Sequence, residues 1–216
     1  GSRGSELLTA AVAASQESSR AQGIAFPEVE IRDLWRRVLA ALHEENVISV
    51  APDAVDVERL AVEFEGRVNP VWPMPGISDV FGALREVGLP LGIVSNAQFF
   101  TPLVFEALLD ASTERLGFRP ELCAWSYACN VAKPGTDIFG VVLEPLRCAG
   151  LTPEQVLYVG NDMRNDIWPA ARCGLQTALF AGDRRSLRLR AADPDCAGLV
   201  PDVVVTELRQ LTEVIS

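Results

Sequence analysis

The 216-residue sequence is short of several side chains on which particular kinds of chemistry depend. It has a single histidine, His43 in "AALHEEN", which reads as a helix-surface residue, so no catalytic role is expected of it. Its five cysteines (Cys123, Cys129, Cys148, Cys173 and Cys196) form no C-x-x-C pair and no zinc spacing. An odd count without a framework reads as reduced thiols in a cytoplasmic protein. No apolar stretch approaches the roughly 18 residues that a membrane-spanning helix needs, and there is no signal-peptide pattern, so no membrane partner is expected. Positive charge is also scarce: 19 Lys and Arg face 29 Asp and Glu, giving a formal net charge of −10. That balance argues against a nucleic-acid partner. The one basic run, "RRSLRLR" from Arg184 to Arg190, reads as a solvated loop or helix face. Repeats and low-complexity segments are absent.

What remains has the rhythm of one ordinary domain with a smaller accessory unit. Residues 1–75 read as helical and 76–216 as an α/β core. "EVEIRDLWRRVLAALHEE" places Val29, Leu34, Val38, Leu39 and Leu42 near one face at helical spacing, and "DAVDVERLAVEFEGRV" is a further amphipathic candidate, ended by Asn69 and Pro70. After Pro73 and Pro75 strands and helices alternate. "ISDVFGALREVG" is a helix stopped by Gly88, "LPLGIVSN" a buried strand and "TPLVFEALLDAS" a helix. "LCAWSYA" then reads as a strand, "TDIFGVVLEPLRCAG" as a helix, and "LTPEQ" carries capping-box spacing between Thr152 and Gln155. "VLYVG", "NDIWPAARCG", "TALFAG", "DVVV" and "TELRQLTEVI" complete the alternation. Such an order predicts a doubly wound parallel sheet. The tryptophans Trp35, Trp72, Trp125 and Trp168 read as packing residues.

In an open parallel sheet, ligands gather at the carboxyl ends of the strands. Those ends carry Ser95 and Asn96, Lys133 in "AKPG", and Asp162 and Asp166 in "VGNDMRNDI". Singly, each has a plain reading. Ser95-Asn96 could form a turn, Lys133 could be a surface lysine, Asp162 could cap the next helix, and Asp166 could favour its dipole. Together they supply a hydroxyl, an ammonium and two carboxylates on one rim, the groups phosphoryl transfer needs.

With these motifs the chain resembles the haloacid dehalogenase superfamily of aspartate-nucleophile phosphatases. "GIVSNA" is similar to the family's second motif, with Ser95 as a phosphate-binding hydroxyl and Asn96 beside it. "AKPGTDIF" is similar to the third, with Lys133 as the charge-neutralising lysine, and "VGNDMRNDI" to the fourth. The resemblance implies that Asp162 ligates Mg²⁺ directly and that Asp166 supports it. It also implies a Rossmann-like core with a helical cap before residue 75. The activity implied is a Mg²⁺-dependent phosphatase acting on a small phosphorylated metabolite, with a homodimer among the assemblies open to it.

One family motif has no counterpart. The first motif is an apolar strand ending D-x-D-x-[TV], whose first Asp is the nucleophile. The only D-x-D in the sequence, Asp193-Pro194-Asp195, follows no apolar run. In the family that strand is central, between the strand ending at Ser95 and the strand ending at Gly160, so its absence should leave two unpaired edges. The opening "GSRGS" has no initiator Met, and the expectation is a chain lacking roughly 10 to 30 upstream residues, one strand and a loop. The alternatives are a 2-haloacid dehalogenase, which uses no metal and predicts fewer acids in the fourth motif, and a catalytically inactive binding module.

Overall fold

The computed structural model describes residues 2–215. Three helices come first: α1 (Ser2–Ala21), α2 (Ile31–Glu44) and α3 (Val57–Val68). The Glu30 carboxylate caps α2 by accepting from the Arg32 N–H, and Asp56 caps α3 by accepting from Arg59. The expected face of α2 is the buried one: Trp35, Val38, Leu39 and Leu42 close on Val57 and Ala61 of α3. Leu7, Leu8 and Ala11 of α1 pack against the same cluster, as do Phe99 and Phe100 from later in the chain.

Beyond the prolines, α4 (Ile77–Val87) is bracketed by Gly76 and Gly88, both with φ of 78°, the left-handed conformation that glycine takes at least cost. Next come β1 (Leu91–Ser95), α5 (Thr101–Leu109), β2 (Phe118–Trp125), the one-turn α6 (Ser126–Cys129) and α7 (Asp137–Cys148). The remaining elements are β3 (Leu157–Gly160), α8 (Trp168–Arg172), β4 (Gln176–Phe180), β5 (Val203–Val205) and α9 (Gln210–Val214).

All strand pairing is parallel, but the strands form two sheets. One is β1–β2, and the other is β3–β4–β5. The chain therefore winds outward in opposite directions from an opening between β1 and β3, each of which has one paired neighbour. Central strands of an α/β protein are usually covered on every side. In β3, by contrast, Val159 is exposed, as is Gly92 in β1. On one side of the opening α7 lies across both halves. Its Ile138, Phe139 and Val142 pack with Ala124 of β2 and Ala170 of α8, and with Val94 of β1 and Tyr158 of β3.

Several segments differ from the sequence reading. The second strand begins at Phe118 and stops at Trp125, because Trp125 pairs with Ser95, the last residue of β1, and nothing lies beyond to pair with. "SYAC" turns into α6 instead. Thr152 and Gln155 do form a capping box, but on a three-residue 3₁₀ turn. The segment after β3 starts with a π-helical turn, Met163–Ile167, and becomes α-helical only at Trp168. The last helix is confined to Gln210–Val214, because the Gln210 side chain accepts from the Thr206 and Glu207 N–H groups and holds the preceding residues in a turn. Trp35 is buried as a packing residue, whereas Trp72 is 68% exposed and packs on little.

Candidate active site

The residues following β1, β2 and β3 meet at the opening. Asn96 and Lys133 are joined main chain to side chain in both directions: the Lys133 N–H donates to Asn96 Oδ1 at 2.7 Å, and Asn96 Nδ2 donates to the Lys133 carbonyl at 3.0 Å. This pair fixes the start of the Lys133 side chain relative to β1. Its far end is held by β3 and the turn after it. Lys133 Nζ donates to Asp166 Oδ1 at 2.6 Å and to the Tyr158 hydroxyl at 2.9 Å. Both charged side chains of the pair are 9% exposed. Burial by itself would lower the lysine pKa, but Tyr158 and Asp166 outweigh it and hold the ammonium above its ordinary value.

Asp166 has its other oxygen occupied too, since Oδ2 accepts from the Asn161 and Asp162 N–H groups, both at 3.0 Å. Gly160 makes room for this arrangement, because a Cβ at that position would collide with the Asp166 side chain. The Tyr158 hydroxyl donates across the opening to the Val94 carbonyl of β1 at 3.0 Å. Burial pushes the Tyr158 pKa up to about 12, with Lys133 opposing and Asp166 adding to the rise. Ser95 lies at the same rim; its hydroxyl makes one long contact, 3.4 Å, to the Asn96 carbonyl. Ser95, Asn96, Lys133 and Asp166 are thus brought together.

Asp162 faces other partners. Its Oδ1 accepts from the N–H groups of Arg164 and Asn165, capping the π-helical turn. Arg190 grips the same carboxylate in a fork, with Nε at 3.1 and 3.2 Å and Nη2 at 2.6 Å. Burial would raise the Asp162 pKa, but Arg190 first and then the two amides hold it below the ordinary carboxylate range.

A divalent cation of the Mg²⁺ type needs several oxygen ligands with free lone pairs. Here one carboxylate is taken by an ammonium and two amides, and the other by a guanidinium, two backbone amides and the Asn165 side-chain amide. Among the described residues no three His, Cys, Asp or Glu side chains gather into a metal-holding group. In this arrangement the donor set does not fit a bound Mg²⁺.

Three contributors escape a sequence reading. Tyr158 sits in the apolar run "VLYVG", where its only signal is a buried hydroxyl in need of a partner. Gly160 has no side chain to notice. Arg190 ends a run that reads as solvated, and its partner lies 28 positions away. The junction with the helices is also built from polar groups. Gln98 Nε2 donates to the Val29 carbonyl and its Oε1 accepts from the Ile31 N–H. Ser126, fully buried, accepts from the Ala97 N–H at 2.8 Å and donates to Glu28 at 2.6 Å.

Residues 6–174, which carry all of these motifs, match the family model of the haloacid dehalogenase-like hydrolases. The chain belongs to that family. Among relatives of this haloacid dehalogenase-like chain, the glyceraldehyde 3-phosphate phosphatase of Methanopyrus kandleri is 31% identical over 147 residues, 66% of this chain and 56% of that protein. The phosphoglycolate phosphatase of Escherichia coli K12 is 35% identical over 100 residues, 46% of this chain and 36% of that protein. The chain therefore spans about half the length, or less, of these curated relatives. A solved 2-haloacid dehalogenase from Pseudomonas syringae superposes with a TM-score of 0.59 at 22% identity, covering 97% of this chain and 80% of the other. That likeness shows a shared fold. No helix among the described residues is long and apolar enough to cross a membrane.

Proposed function

We propose that this chain is the body of a phosphomonoester hydrolase for small phosphorylated metabolites, with residues 1–75 acting as a cap over the rim of the α/β core. The observation that carries the reading is the Lys133 ammonium, buried, kept charged by Asp166 and fixed to the end of β1 through Asn96. An immobilised cation at a strand-end rim offsets the negative charge that grows on phosphoryl oxygens in the transition state, and it needs no reorganisation to do so. Ser95 would hold the phosphoryl group, with Asn96 beside it. Both curated relatives named above are phosphatases of small phosphorylated compounds, and they support the substrate class.

The family's attacking carboxylate has no counterpart in the sequence. In the proposal it is supplied by a strand seated in the opening between β1 and β3, where it would form an aspartyl-phosphate that water then cleaves. Mg²⁺ is the cofactor proposed with it, ligated by Asp162, but no step is assigned to the metal while Arg190 holds that carboxylate. A pairing between copies of the chain and a cytoplasmic setting belong to the same proposal.

The test is turnover of a panel of phosphate esters, including phosphoglycolate and glyceraldehyde 3-phosphate, by the complete natural gene product with Mg²⁺. Lys133→Ala should lower kcat about a hundredfold or more, the scale seen when one preorganised charge-stabilising group is removed. Undiminished turnover by Lys133→Ala overturns the reading. Turnover of 2-chloropropionate with none of any phosphate ester would favour the dehalogenase alternative instead.

A further inference from the structure

Lys133 is the only lysine in the sequence; apart from His43, every other basic side chain is an arginine. An arginine presents a rigid fork, whereas a lysine carries a point charge with three N–H donors on a flexible four-carbon stem. Such a charge is held in one place only where its far end is anchored. Asn96 fixes the main chain of Lys133 to the end of β1, but that pairing does not reach Nζ.

Nζ has its own acceptors, and they differ in what they fix. Asp166 Oδ1 supplies the countercharge, and it belongs to the turn after β3. The Tyr158 hydroxyl is neutral, yet it ties the ammonium back across the opening to β1. It has one proton to give. The Val94 carbonyl at 3.0 Å is nearer than Asp166 Oδ1 at 3.4 Å, so the proton goes to Val94 and the lone pairs accept from Lys133 at 2.9 Å. Val94 immediately precedes Ser95. The ring itself is steadied by Phe139 of α7, tilted against it with centroids 5.1 Å apart. With Asp166 and Tyr158 engaged, the ammonium has one further N–H for a ligand oxygen.

We infer that Tyr158 is a positioning residue: by bridging Lys133 Nζ to the Val94 carbonyl, it sets the place of the ammonium relative to Ser95. The inference rests on Lys133 being the charge-neutralising group, as proposed above. Tyr158 touches no reacting atom in this role and acts only through Lys133. Misplacing a catalytic group by about 1 Å can cost about a hundredfold in rate. Asp166 and Asn96 still restrain Lys133 when the hydroxyl is lost, so a smaller effect is expected.

The experiment is a kinetic double-mutant cycle in the complete natural gene product, with a phosphate ester and Mg²⁺. Tyr158→Phe keeps the ring against Phe139 and removes only the oxygen. It should lower kcat about tenfold and leave KM within about twofold, as expected for an interaction made in the transition state. On a Lys133→Ala background the same change should have no further effect, because the group it positions is gone. A residue needed only for the fold would lower turnover by the same factor on both backgrounds. The sole lysine also gives a readout that needs no turnover. In the 216-residue chain carrying lysine labelled with heavy nitrogen, nuclear magnetic resonance should show one ammonium signal in through-space contact with the Tyr158 ring protons. Tyr158→Phe should speed exchange of those ammonium protons with water, since a hydrogen bond that retains them is gone.

Full kcat in Tyr158→Phe while Lys133→Ala is impaired, or equal losses on both backgrounds, overturns the positioning role alone. Undiminished turnover in Lys133→Ala, or none in the parent, overturns the function proposed above and the role of Tyr158 with it. If Tyr158→Phe does not fold, the parent decides: a folded chain whose ammonium makes no contact with the Tyr158 ring overturns the bridge.

Discussion

The Tyr158 hydroxyl does two things that a phenylalanine could not. It accepts from Lys133 at 2.9 Å and donates to the Val94 carbonyl at 3.0 Å, so one oxygen links the ammonium to the far side of the opening. Its pKa, raised to about 12, lies above an unfolded value near 10. The folded state thus holds its proton more tightly, and the stability this provides is full below about pH 10 and lost between about pH 10 and 12. The expected consequence is spectroscopic. At pH 11, while the far-ultraviolet circular dichroism is still native, the parent and Tyr158→Phe should differ little in tyrosinate absorbance at about 295 nm, because a group with a pKa near 12 is mostly neutral there. A difference of nearly one full tyrosinate would contradict the burial assigned to this hydroxyl. At this scale the sequence is legible where residues at successive strand ends are read together, as for Lys133 and Asp166, which the structure joins in an ion pair. It is silent where a residue has two plain uses. Tyrosine in an apolar run looks like packing, and the fourth arginine of an exposed run looks like solvation.

Among the elements, periodicity and punctuation did most of the work. The apolar face of α2 and the Gly88 stop of α4 could be read directly, because each depends on neighbours in sequence. The end of β2 could not, since it is decided by where β1 stops. Nor could the seam between the helices and the core, where Ser126 meets Ala97 and Glu28 from positions 29 and 98 residues away. That seam has a measurable strength. Ser126→Ala removes the acceptor of a buried N–H and a partner of Glu28, and leaving such a donor unsatisfied costs about 1–3 kcal/mol. Denaturant unfolding should show a loss of that size. A change below about 0.5 kcal/mol, the usual range for inconsequential surface substitutions, would mean that Ser126 joins nothing of importance.

For the molecule as a whole, the parallel architecture follows from the alternation of strands and helices, and the sheet is divided between β1 and β3. Less predictable was what holds the halves together: the polar links from Lys133 to Asp166 and from Tyr158 to Val94, and α7, lying across the opening with Phe139 against Tyr158, ring centroids 5.1 Å apart. In a continuous α/β sheet the innermost strands are the last to surrender their amide protons to heavy water, since ladders flank them on both sides. Here that ranking should be inverted. β1 and β3 have a ladder on one side only, so every second amide faces the opening and should trade hydrogen for deuterium early. The amides of α7, bonded within the helix over the apolar bridge, should be the slowest. Mass-spectrometric exchange on peptides covering residues 91–95, 137–148 and 157–160 would show it, and strands as slow as the helix would mean that the edges of β1 and β3 facing the opening are protected as well as a second ladder would protect them.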